Sequence, residues 1–260
     1  MKVFVTPPIN HLELSELGNE NFYILGQLYK RNEEYRKYTK QAIEAGRFTI
    51  LDSGVGDEGE VLTNEELFEL TLEIRPNEVI PLDVLYKKDE TLDNFNEFVR
   101  WMKEPCNKAK LKNTSILACP QGENIGRWLE CYEYLLNRPE VSCIGMSKKA
   151  IPYVVNIHSI SEARQQLVSL LKSENLLKKP LHFLGQGDPR EFIPYKNESI
   201  FRSTDSCYPI LSAIHGQNLE ESISFDRIPT PSDYFDLEIT KETLPLIISN
   251  VDFLKKCCNQ

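Results

Sequence analysis

Eight short apolar runs, rich in β-branched and aromatic residues, alternate along the chain with longer segments of helical spacing. The runs are residues 3–5, 22–25, 48–51, 79–82, 115–119, 142–146, 182–184 and 199–202. Such alternation is typical of consecutive βα units, whose strands pair in parallel. Because eight parallel strands can close on themselves, we predict an α/β fold of the (β/α)8 TIM-barrel type.

An open doubly wound sheet is the competing arrangement for the same pattern. That fold usually has a glycine-rich turn after its first strand, whereas this chain has Thr6, Pro7 and Pro8 there. No glycine- and serine-rich linker divides the chain. We therefore expect residues 1–260 to form one barrel domain, in which residues 217–260 are a C-terminal extension that closes or flanks the barrel.

Three segments between the runs begin with recognisable helix-start signals. Thr63 and Glu66 form a capping-box pattern before LFELTLEI. Asn124 precedes IGRWLECYEYLLN, whose apolar residues recur at helical spacing. Ser161, followed by Glu162, predicts the start of a third helix. We expect these helices to pack their apolar faces on the sheet.

Charge and cysteine content exclude several classes of protein. The 39 acidic and 30 basic side chains give a net charge of -9, which argues against a uniformly basic nucleic-acid binder but leaves room for a local basic groove. The seven cysteines form no CxxC pair and the four histidines no HExxH motif, so we expect neither a metal nor another cofactor. His182 lies within the seventh run, and we expect it to be an ordinary core residue.

The chain shows no membrane or secretion signal that we recognise. No window reaches the roughly 18 uninterrupted apolar residues of a membrane span, and the first residues, MKVFVTPP, lack the apolar core of a signal peptide. Unpaired cysteines also suit a reducing compartment. We therefore expect a cytoplasmic protein, in the host cytoplasm if the gene is viral.

In a (β/α)8 barrel, the active site is built from the C-terminal ends of the strands and the loops that follow. These positions hold Asp52, Ser53 and Gly54, then Asp83, Gln121 and Gly122, Gly145, Gly185, Gln186 and Gly187, and finally Asp205. Two carboxylates at one site suit displacement at a sugar carbon, and a third beside a carboxamide suits recognition of a flat heterocycle such as guanine. Asp and Gly after strands also cap helices and form turns, so residue types alone leave both roles open.

A series of motifs resembles one family in the family's own order. The motifs are ELSELGNENFYILGQLY, TILDSG, VIPLD, ILACPQG, CIGMS, HFLGQGDPREF and FRSTDSCYP. Together they resemble the strand ends of the tRNA-guanine transglycosylases, barrel enzymes that exchange a guanine in nucleic acid for a 7-deazaguanine base. The resemblance spans roughly residues 3 to 216.

The resemblance implies a role for each matching residue. Asp205 in TDSCYP matches the nucleophile, which would attack C1′ of the sugar and hold it covalently. Asp52 in LDSG matches the general acid and base, which would move a proton to the departing guanine and from the incoming base. The base-binding set matches Ser53, Asp83, Gln121, Gly122, Gly145 and Gly185.

Two departures from the family pattern bear on the substrate. The tRNA enzymes carry a C-terminal zinc site of three Cys and one His, whereas this chain ends near Cys257 and Cys258 without such a motif. A compact, zinc-free chain resembles the branch that inserts 7-deazaguanines into DNA, in bacterial modification systems and in bacteriophages that evade restriction. We therefore expect a DNA-guanine transglycosylase that uses a base similar to preQ0. The alternatives are a zinc-free tRNA-guanine transglycosylase of queuosine or archaeosine type and a non-catalytic, nucleic-acid-binding barrel subunit.

The second departure concerns stacking on the base. The family's Asp-Ser-Gly-Gly is followed by an aromatic residue, but the sequence here continues Gly54, Val55, Gly56, Asp57. Candidates for stacking on the base are Tyr86 and Leu184, and candidates for filling the gap left by a flipped guanine are Tyr153, Tyr195, Tyr208 and Trp101.

Basic side chains near the predicted mouth are candidates for contact with the polymer. They are Lys148, Lys149, Arg190 and Arg202. Lysine and arginine contacts to phosphate position a nucleic acid without reading its sequence. The expected partners are thus DNA, in preference to tRNA, and a 7-deazaguanine base, with no membrane. The tRNA enzymes pair through surfaces near their zinc region, so we expect a monomer here.

Overall fold

A computed structural model describes residues 1–18, 21–54, 61–186, 188–222 and 228–259. Its strands are β1 (Lys2–Val5), β2 (Asn21–Leu25), β3 (Phe48–Asp52), β4 (Glu78–Val79), β5 (Ser115–Ala118), β6 (Val141–Ser147), β7 (Leu181–Leu184) and β8 (Phe201–Ser206). They form one sheet in the order β1-β8-β7-β6-β5-β4-β3-β2, and every pair in it is parallel. The sheet is a nearly closed barrel with alternating helices, which confirms the predicted (β/α)8 fold.

Helices form the outer layer of the barrel. They are α1 (Gly26–Arg31), α2 (Glu33–Glu44), α3 (Asn64–Ile74), α4 (Lys88–Lys103), α5 (Pro105–Lys110), α6 (Ile125–Leu136), α7 (Ala150–Val155), α8 (Ile160–Ser173), α9 (Tyr208–Ile214) and α10 (Leu244–Asn259). Short 3₁₀ segments cover Ile9–Gly18, Pro189–Tyr195 and Tyr234–Asp236. Because all the strands run parallel, their C-terminal ends lie together at one mouth of the barrel.

Two of the three predicted helix starts are confirmed. Thr63 caps α3 by accepting from the backbone N–H of Glu66, whose side chain returns the bond to the Thr63 N–H. Asn124 caps α6 in the same way through the N–H of Arg127. The third prediction is wrong by two residues, since Ser159 caps α8 by accepting from the Glu162 N–H. A serine three residues before a glutamate satisfies the capping geometry, and Ser161 lies too close to that glutamate.

Helix α6 shows how the outer layer is anchored to the sheet. Trp128, Tyr132 and Leu135 recur at spacings of four and three and are almost fully buried. The Trp128 and Tyr132 rings stack with their centroids 5.2 Å apart. Burial of one such apolar stripe contributes several kcal/mol, at roughly 25 cal/mol per Å² of apolar surface.

The barrel seam lies between β1 and β2. Among the described residues these strands form no hydrogen-bonded ladder, although the 3₁₀ segment that ends at Gly18 runs against β1. A Cβ atom on Gly18 would lie 2.6 Å from the carbonyl oxygen of Val3, so the backbone can approach this closely only because the residue is glycine. Arg47 spans the same region by donating to the carbonyl of Asn21 and the hydroxyl of Ser15.

The C-terminal extension flanks the barrel. Helix α10 packs beside α9, β1 and the 3₁₀ segment Pro189–Tyr195, which places it in the outer layer next to β8. Buried Asn250 fixes this helix, because its amide donates to the carbonyls of Pro209 and Gln217 and accepts from the Leu219 N–H. None of the seven cysteines forms a disulfide bond. Within the described ranges, no helix is both long and apolar enough to cross a membrane.

Two strands, the fourth and the eighth, differ from the sequence prediction by more than one residue at a boundary, and the eighth matters for the site. The fourth strand ends at Val79 and the eighth runs from Phe201 to Ser206, so Asp205 lies inside β8 and not after it. The apolar run in the sequence ends before the strand does, because the later residues of β8 place polar side chains inside the barrel. A register shift between β7 and β8 pairs Leu181 with Phe201 but His182 with Ser203, which leaves Arg202 in a bulge.

Candidate active site

Three aspartates converge on a small cavity at the mouth of the barrel. Asp52 ends β3, Asp83 follows β4 and Asp205 lies near the end of β8. All three line a cavity of about 70 Å³. Its other walls are formed by Tyr23, Ile80, Leu85, Cys119, Ser147, Lys148, Lys149, Leu184 and Gly185. The structure therefore brings together six of the predicted site residues, namely Asp52, Asp83, Lys148, Lys149, Gly185 and Asp205.

A much larger cavity of about 850 Å³ adjoins the small one. It shares Asp52, Asp205 and Gly185 with the small cavity and extends from α1 to the segment 229–235. Both acidic and basic side chains line it, including Glu66, Lys30, Arg31, Lys148 and Lys149. The site thus consists of a narrow acidic end and a roomy outer part.

Asp205 is held as a carboxylate by donors on one of its oxygens. Its Oδ1 atom accepts from the Gly185 N–H at 2.9 Å and lies 3.1 Å from Nε2 of His182. Burial alone would raise the pKa of Asp205, but the contact with His182, the Gly185 N–H and the charge of Lys148 hold that pKa below its ordinary value. Oδ2 receives no hydrogen bond from the described part of the chain, so the two oxygens of this carboxylate have different surroundings.

Asp52 is oriented by two donors on different oxygens. The Tyr23 hydroxyl donates to Oδ2 at 3.1 Å, and the Gly54 N–H donates to Oδ1 at 3.2 Å. The Tyr23 ring also stacks on the His182 imidazole, with centroids 6.0 Å apart and planes 7° from parallel. One aromatic side chain therefore links the supports of the two carboxylates that the sequence predicts to be catalytic.

Asp83 forms the third acidic group with Gln121 behind it. The Gln121 Nε2 atom donates to Asp83 Oδ2 at 2.5 Å, and its Oε1 accepts from the Tyr86 N–H at 3.1 Å. Burial raises the pKa of Asp83 to about 6, although the hydrogen bonds with Gln121 and Cys119 oppose the shift. Asp83 is therefore a buried carboxyl that changes protonation state close to neutral pH. Gln121 orients it and does not itself line the small cavity.

Glycine is required at the three predicted glycine positions for different structural reasons. Gly185 has φ +67°, and a Cβ atom there would lie 2.4 Å from Cδ of Lys148. Gly145 lies beneath Leu184, whose Cδ1 would be 2.7 Å from an added Cβ. Gly122 packs against the backbone of Trp128 at the start of α6, so it serves helix packing. Only Gly185 of these three lines either cavity.

A buried arginine on a helix of the outer layer holds the Gly185 peptide in place. Arg164 of α8 is fully buried and donates to the carbonyls of Met146, Leu184 and Gly185 at 2.6–2.8 Å. It is also paired with Glu191 at 3.2 Å. Because these carbonyls end β6 and begin the turn after β7, Arg164 holds the loop whose N–H reaches Asp205.

Ser53, another predicted base-binding residue, does not face the small cavity. Ser53 is fully buried, and its hydroxyl has no hydrogen-bond partner among the described residues. It does not line either cavity. The glycine run Gly54, Val55, Gly56, Asp57 lies outside the described residues after Gly54, as does Gly187.

The basic candidates divide into two groups. Lys148 and Lys149 line both cavities. Arg190 instead donates to the carbonyls of residues 219, 220 and 222 and pairs with Asp188, so it ties down the C-terminal extension. Arg202 pairs with Glu78 at the N-terminal end of the barrel, away from the mouth. Its predicted contact with nucleic acid does not fit this placement, because the β8 bulge turns the guanidinium inward.

The candidates for stacking on the base or filling the gap of a flipped guanine lie in different parts of the structure. Leu184 lines the small cavity and Tyr208 lines the large one. Tyr86 packs against Tyr153, which is half exposed, with ring centroids 4.2 Å apart. Tyr195 is buried against Phe183 and Phe201, and Trp101 packs on Phe68, so both belong to the core.

Sequence reasoning missed the side chains that support the aspartates. They are Tyr23, Arg164 and His182, and the last was expected to be an ordinary core residue. Position within the strand could have indicated His182, since it lies two residues before Leu184 on β7 and so shares the face of the strand that points into the barrel. No local pattern could have identified Arg164, which reaches the site from a surrounding helix.

The chain matches no protein-family model and no curated protein. Among the described residues, no group of three or more His, Cys, Asp and Glu side chains could hold a metal ion. The functional interpretation therefore depends on the site's geometry and on the sequence motifs.

Proposed function

We propose that this protein is a DNA-guanine transglycosylase, which exchanges guanine in DNA for a 7-deazaguanine base similar to preQ0. The observation that carries the proposal is the convergence of Asp52, Asp83 and Asp205 on one small cavity beside a larger one. Their environments differ, because the pKa of Asp205 is lowered whereas that of Asp83 is raised. Such different environments support different roles for these two carboxyl groups, Asp205 as the ionised nucleophile and Asp83 as a group that binds the base.

The first half of the proposed reaction removes guanine. An electron pair on Asp205 Oδ2 forms a bond to C1′ of the sugar, and the bond from C1′ to the base nitrogen breaks with its electrons on the base. Asp52 gives a proton to that nitrogen, so guanine leaves as a neutral molecule. The product is an ester between Asp205 and the sugar, on the face opposite the departing base.

The second half reverses these steps with a different base. Asp52 takes the proton from the equivalent nitrogen of the incoming 7-deazaguanine, whose electron pair attacks C1′. The bond between C1′ and Oδ2 breaks, and Asp205 returns to its carboxylate form. Two displacements restore the original configuration at the sugar.

Asp83 and the backbone near Gly185 form the proposed base-reading surface. An ionised carboxylate accepts hydrogen bonds from adjacent N–H groups on one edge of guanine or a deazaguanine. Asp83 is supported for this role by Gln121, and Leu184 supplies an apolar wall. Since both bases present the same edge, one pocket can serve for the outgoing and the incoming base.

The larger cavity is the proposed place of the polymer. Lys148 and Lys149 lie where the two cavities meet, so they can contact phosphates that flank a flipped nucleotide. A guanine in a duplex must leave the stack before Asp205 can reach C1′, at a cost of a few kcal/mol. DNA is preferred over tRNA because the sequence has no motif for the zinc site that accompanies tRNA recognition in the family it resembles.

Incorporation of labelled base tests this proposal. Purified protein is incubated with radiolabelled preQ0 and either guanine-containing duplex DNA or unmodified tRNA, and the nucleosides are then separated. We expect label in DNA with the wild type and none with D205A, while binding to DNA persists. Label only in tRNA would instead support the zinc-free tRNA enzyme. Binding to DNA without any label would support the non-catalytic subunit.

A further inference from the structure

A continuous chain of hydrogen-bonded side chains crosses the barrel interior and ends on Asp205. It begins at Glu78, where Arg202 donates through both terminal nitrogens at 2.5 and 2.7 Å. Arg202 Nε donates to the Ser203 hydroxyl at 3.2 Å, which is 2.7 Å from His182 Nδ1. His182 Nε2 then lies 3.1 Å from Asp205 Oδ1. The β8 bulge makes this chain possible, because it lets Arg202 and Ser203 reach the same interior space.

The donors and acceptors along this chain indicate where its protons lie. Arg202 carries only donors, so the Ser203 oxygen must accept from its Nε–H. At the other end of the ring, the Asp205 carboxylate has only acceptors, so the facing Nε2 carries a proton, and in a neutral ring Nδ1 is then unprotonated and accepts from the Ser203 hydroxyl. A neutral imidazole with an accepting Nδ1 carries its proton on Nε2, the nitrogen that faces Asp205.

The surroundings of His182 favour this neutral form. The ring is fully buried between Tyr23, stacked on one face, and Phe4, whose ring meets it edge-on with centroids 5.9 Å apart. Burial lowers the pKa of His182, although the Asp205 carboxylate opposes the shift. The charged groups that act on the ring are Asp205 at its outer end, and Arg202 and Glu78, which compensate each other, at its inner end.

We propose that His182 is a positioning residue for the nucleophile: held as the Nε2–H tautomer by Ser203 and Arg202, it donates to Asp205 Oδ1 and leaves Oδ2 to attack. This inference rests on the proposed function, in which Asp205 forms the covalent bond. Gly185 donates to the same oxygen at 2.9 Å, so the two donors together set the rotation of the carboxylate. They also keep it ionised, because a donor favours the charged form of a carboxyl group.

The two decisive variants of His182 keep either its aromatic ring or its hydrogen-bond donor. H182F retains an aromatic ring between Tyr23 and Phe4 but cannot donate, whereas H182Q places an amide N–H at a similar reach. A hydrogen bond to a charged group changes the acid dissociation constant of that group by a factor of about ten to one hundred. Loss of the donor should therefore raise the Asp205 pKa by about one to two units. The pH dependence of kcat reports on the substrate-bound enzyme, in which Asp83 is already paired with the base. We expect its acidic limb in H182F to move to higher pH by that amount, with partial recovery in H182Q and little change in KM.

Two serines that contact this chain, Ser203 on β8 and Ser142 on β6, provide a matched comparison. S203A removes the hydroxyl that fixes the tautomer, and we expect a smaller shift of the acidic limb in the same direction. Ser142 also contacts the chain, but within the chain its hydroxyl bonds to Glu78 alone, and Glu78 keeps both bonds from Arg202 when that hydroxyl is removed; the other contact of Ser142 is with the Ile116 carbonyl. S142A should therefore leave the limb where it is in the wild type.

Nitrogen NMR of histidine-labelled wild-type protein tests the tautomer without any need for turnover. The His182 signal is identified by its absence in H182Q, and we expect a pyrrole-type Nε2 and a pyridine-type Nδ1 at neutral pH. A charged ring, or a proton on Nδ1, would overturn the inference even if H182F failed to fold. An unchanged acidic limb in H182F, with D205A inactive, would overturn it while the proposed function stood. If wild-type protein exchanges no base, the proposed function fails, and the NMR result still decides the tautomer.

Discussion

Asp83 makes a prediction about stability that does not depend on any activity. Burial raises its pKa from 3.8 to about 6 in the folded protein, so the folded state holds a proton that the unfolded state releases between these values. A shift of about two units at about 1.4 kcal/mol each means that ionisation of Asp83 costs the folded state about 3 kcal/mol at pH 7. The cost is absent below the unfolded pKa and is complete above the folded pKa.

The substitution D83N removes this cost and keeps an oxygen that can accept from Gln121. We expect the free energy of unfolding of D83N, relative to the wild type, to increase by about 3 kcal/mol between pH 3.5 and pH 7.5. Urea denaturation at a series of pH values, followed by tryptophan fluorescence and circular dichroism, measures this difference. A difference that stays constant across the range would refute the assignment of a raised pKa to Asp83.

The same change at Asp205 provides a control of opposite sign. The pKa of Asp205 is lowered in the folded protein, so its ionised form stabilises the fold above the unfolded pKa, and that contribution is lost as the pH falls. D205N should therefore be less stable than the wild type at pH 7, and the deficit should shrink toward low pH. Two Asp to Asn substitutions in one cavity would then show opposite pH dependences.

Two other substitutions test the mouth of the barrel. K148A should weaken binding of duplex DNA and reduce the slope of log K against log salt by about 1, as expected for one lost phosphate contact. K110A on α5 should leave both the affinity and the slope unchanged. Fluorescence anisotropy at several salt concentrations measures both variants, and equal slopes would contradict the placement of the polymer. G185A should cost about 1–3 kcal/mol, because its φ of +67° is unfavourable for alanine and the new Cβ would meet Lys148 at 2.4 Å; a denaturation midpoint equal to that of the wild type would contradict this account of the turn.

The fold was accessible from the sequence because its signals are local and repeated. Apolar runs marked all eight strands, and the capping residues Thr63 and Asn124 marked the starts of α3 and α6. The end of β8 was missed because Ser203 and Asp205 face a polar part of the barrel interior, where alternation of apolar residues stops. Strand ends that build an active site are where hydrophobic patterning is expected to fail.

Only part of the candidate site could be predicted from the sequence. Position after a strand was enough to predict that Asp52, Asp83 and Asp205 would meet, since parallel strands in a barrel end at one mouth. It was not enough to place Arg202, because a one-residue bulge between β7 and β8 sends its side chain toward Glu78. The supports of the aspartates depend on pairing across strands and on Arg164 of α8, which is 21 residues away from Gly185 in sequence, and no short motif encodes such contacts.

The central claim is that Asp205 becomes covalently attached to the sugar of DNA. Protein mixed with a guanine-containing duplex oligonucleotide is quenched with denaturant, digested with protease and nuclease, and examined by mass spectrometry for a peptide that carries a sugar. The account predicts a sugar adduct on the peptide that contains Asp205, absent in D205A and lost from the wild type when preQ0 is added before the quench. An adduct on another residue, or base exchange without any adduct in the wild type, would contradict it.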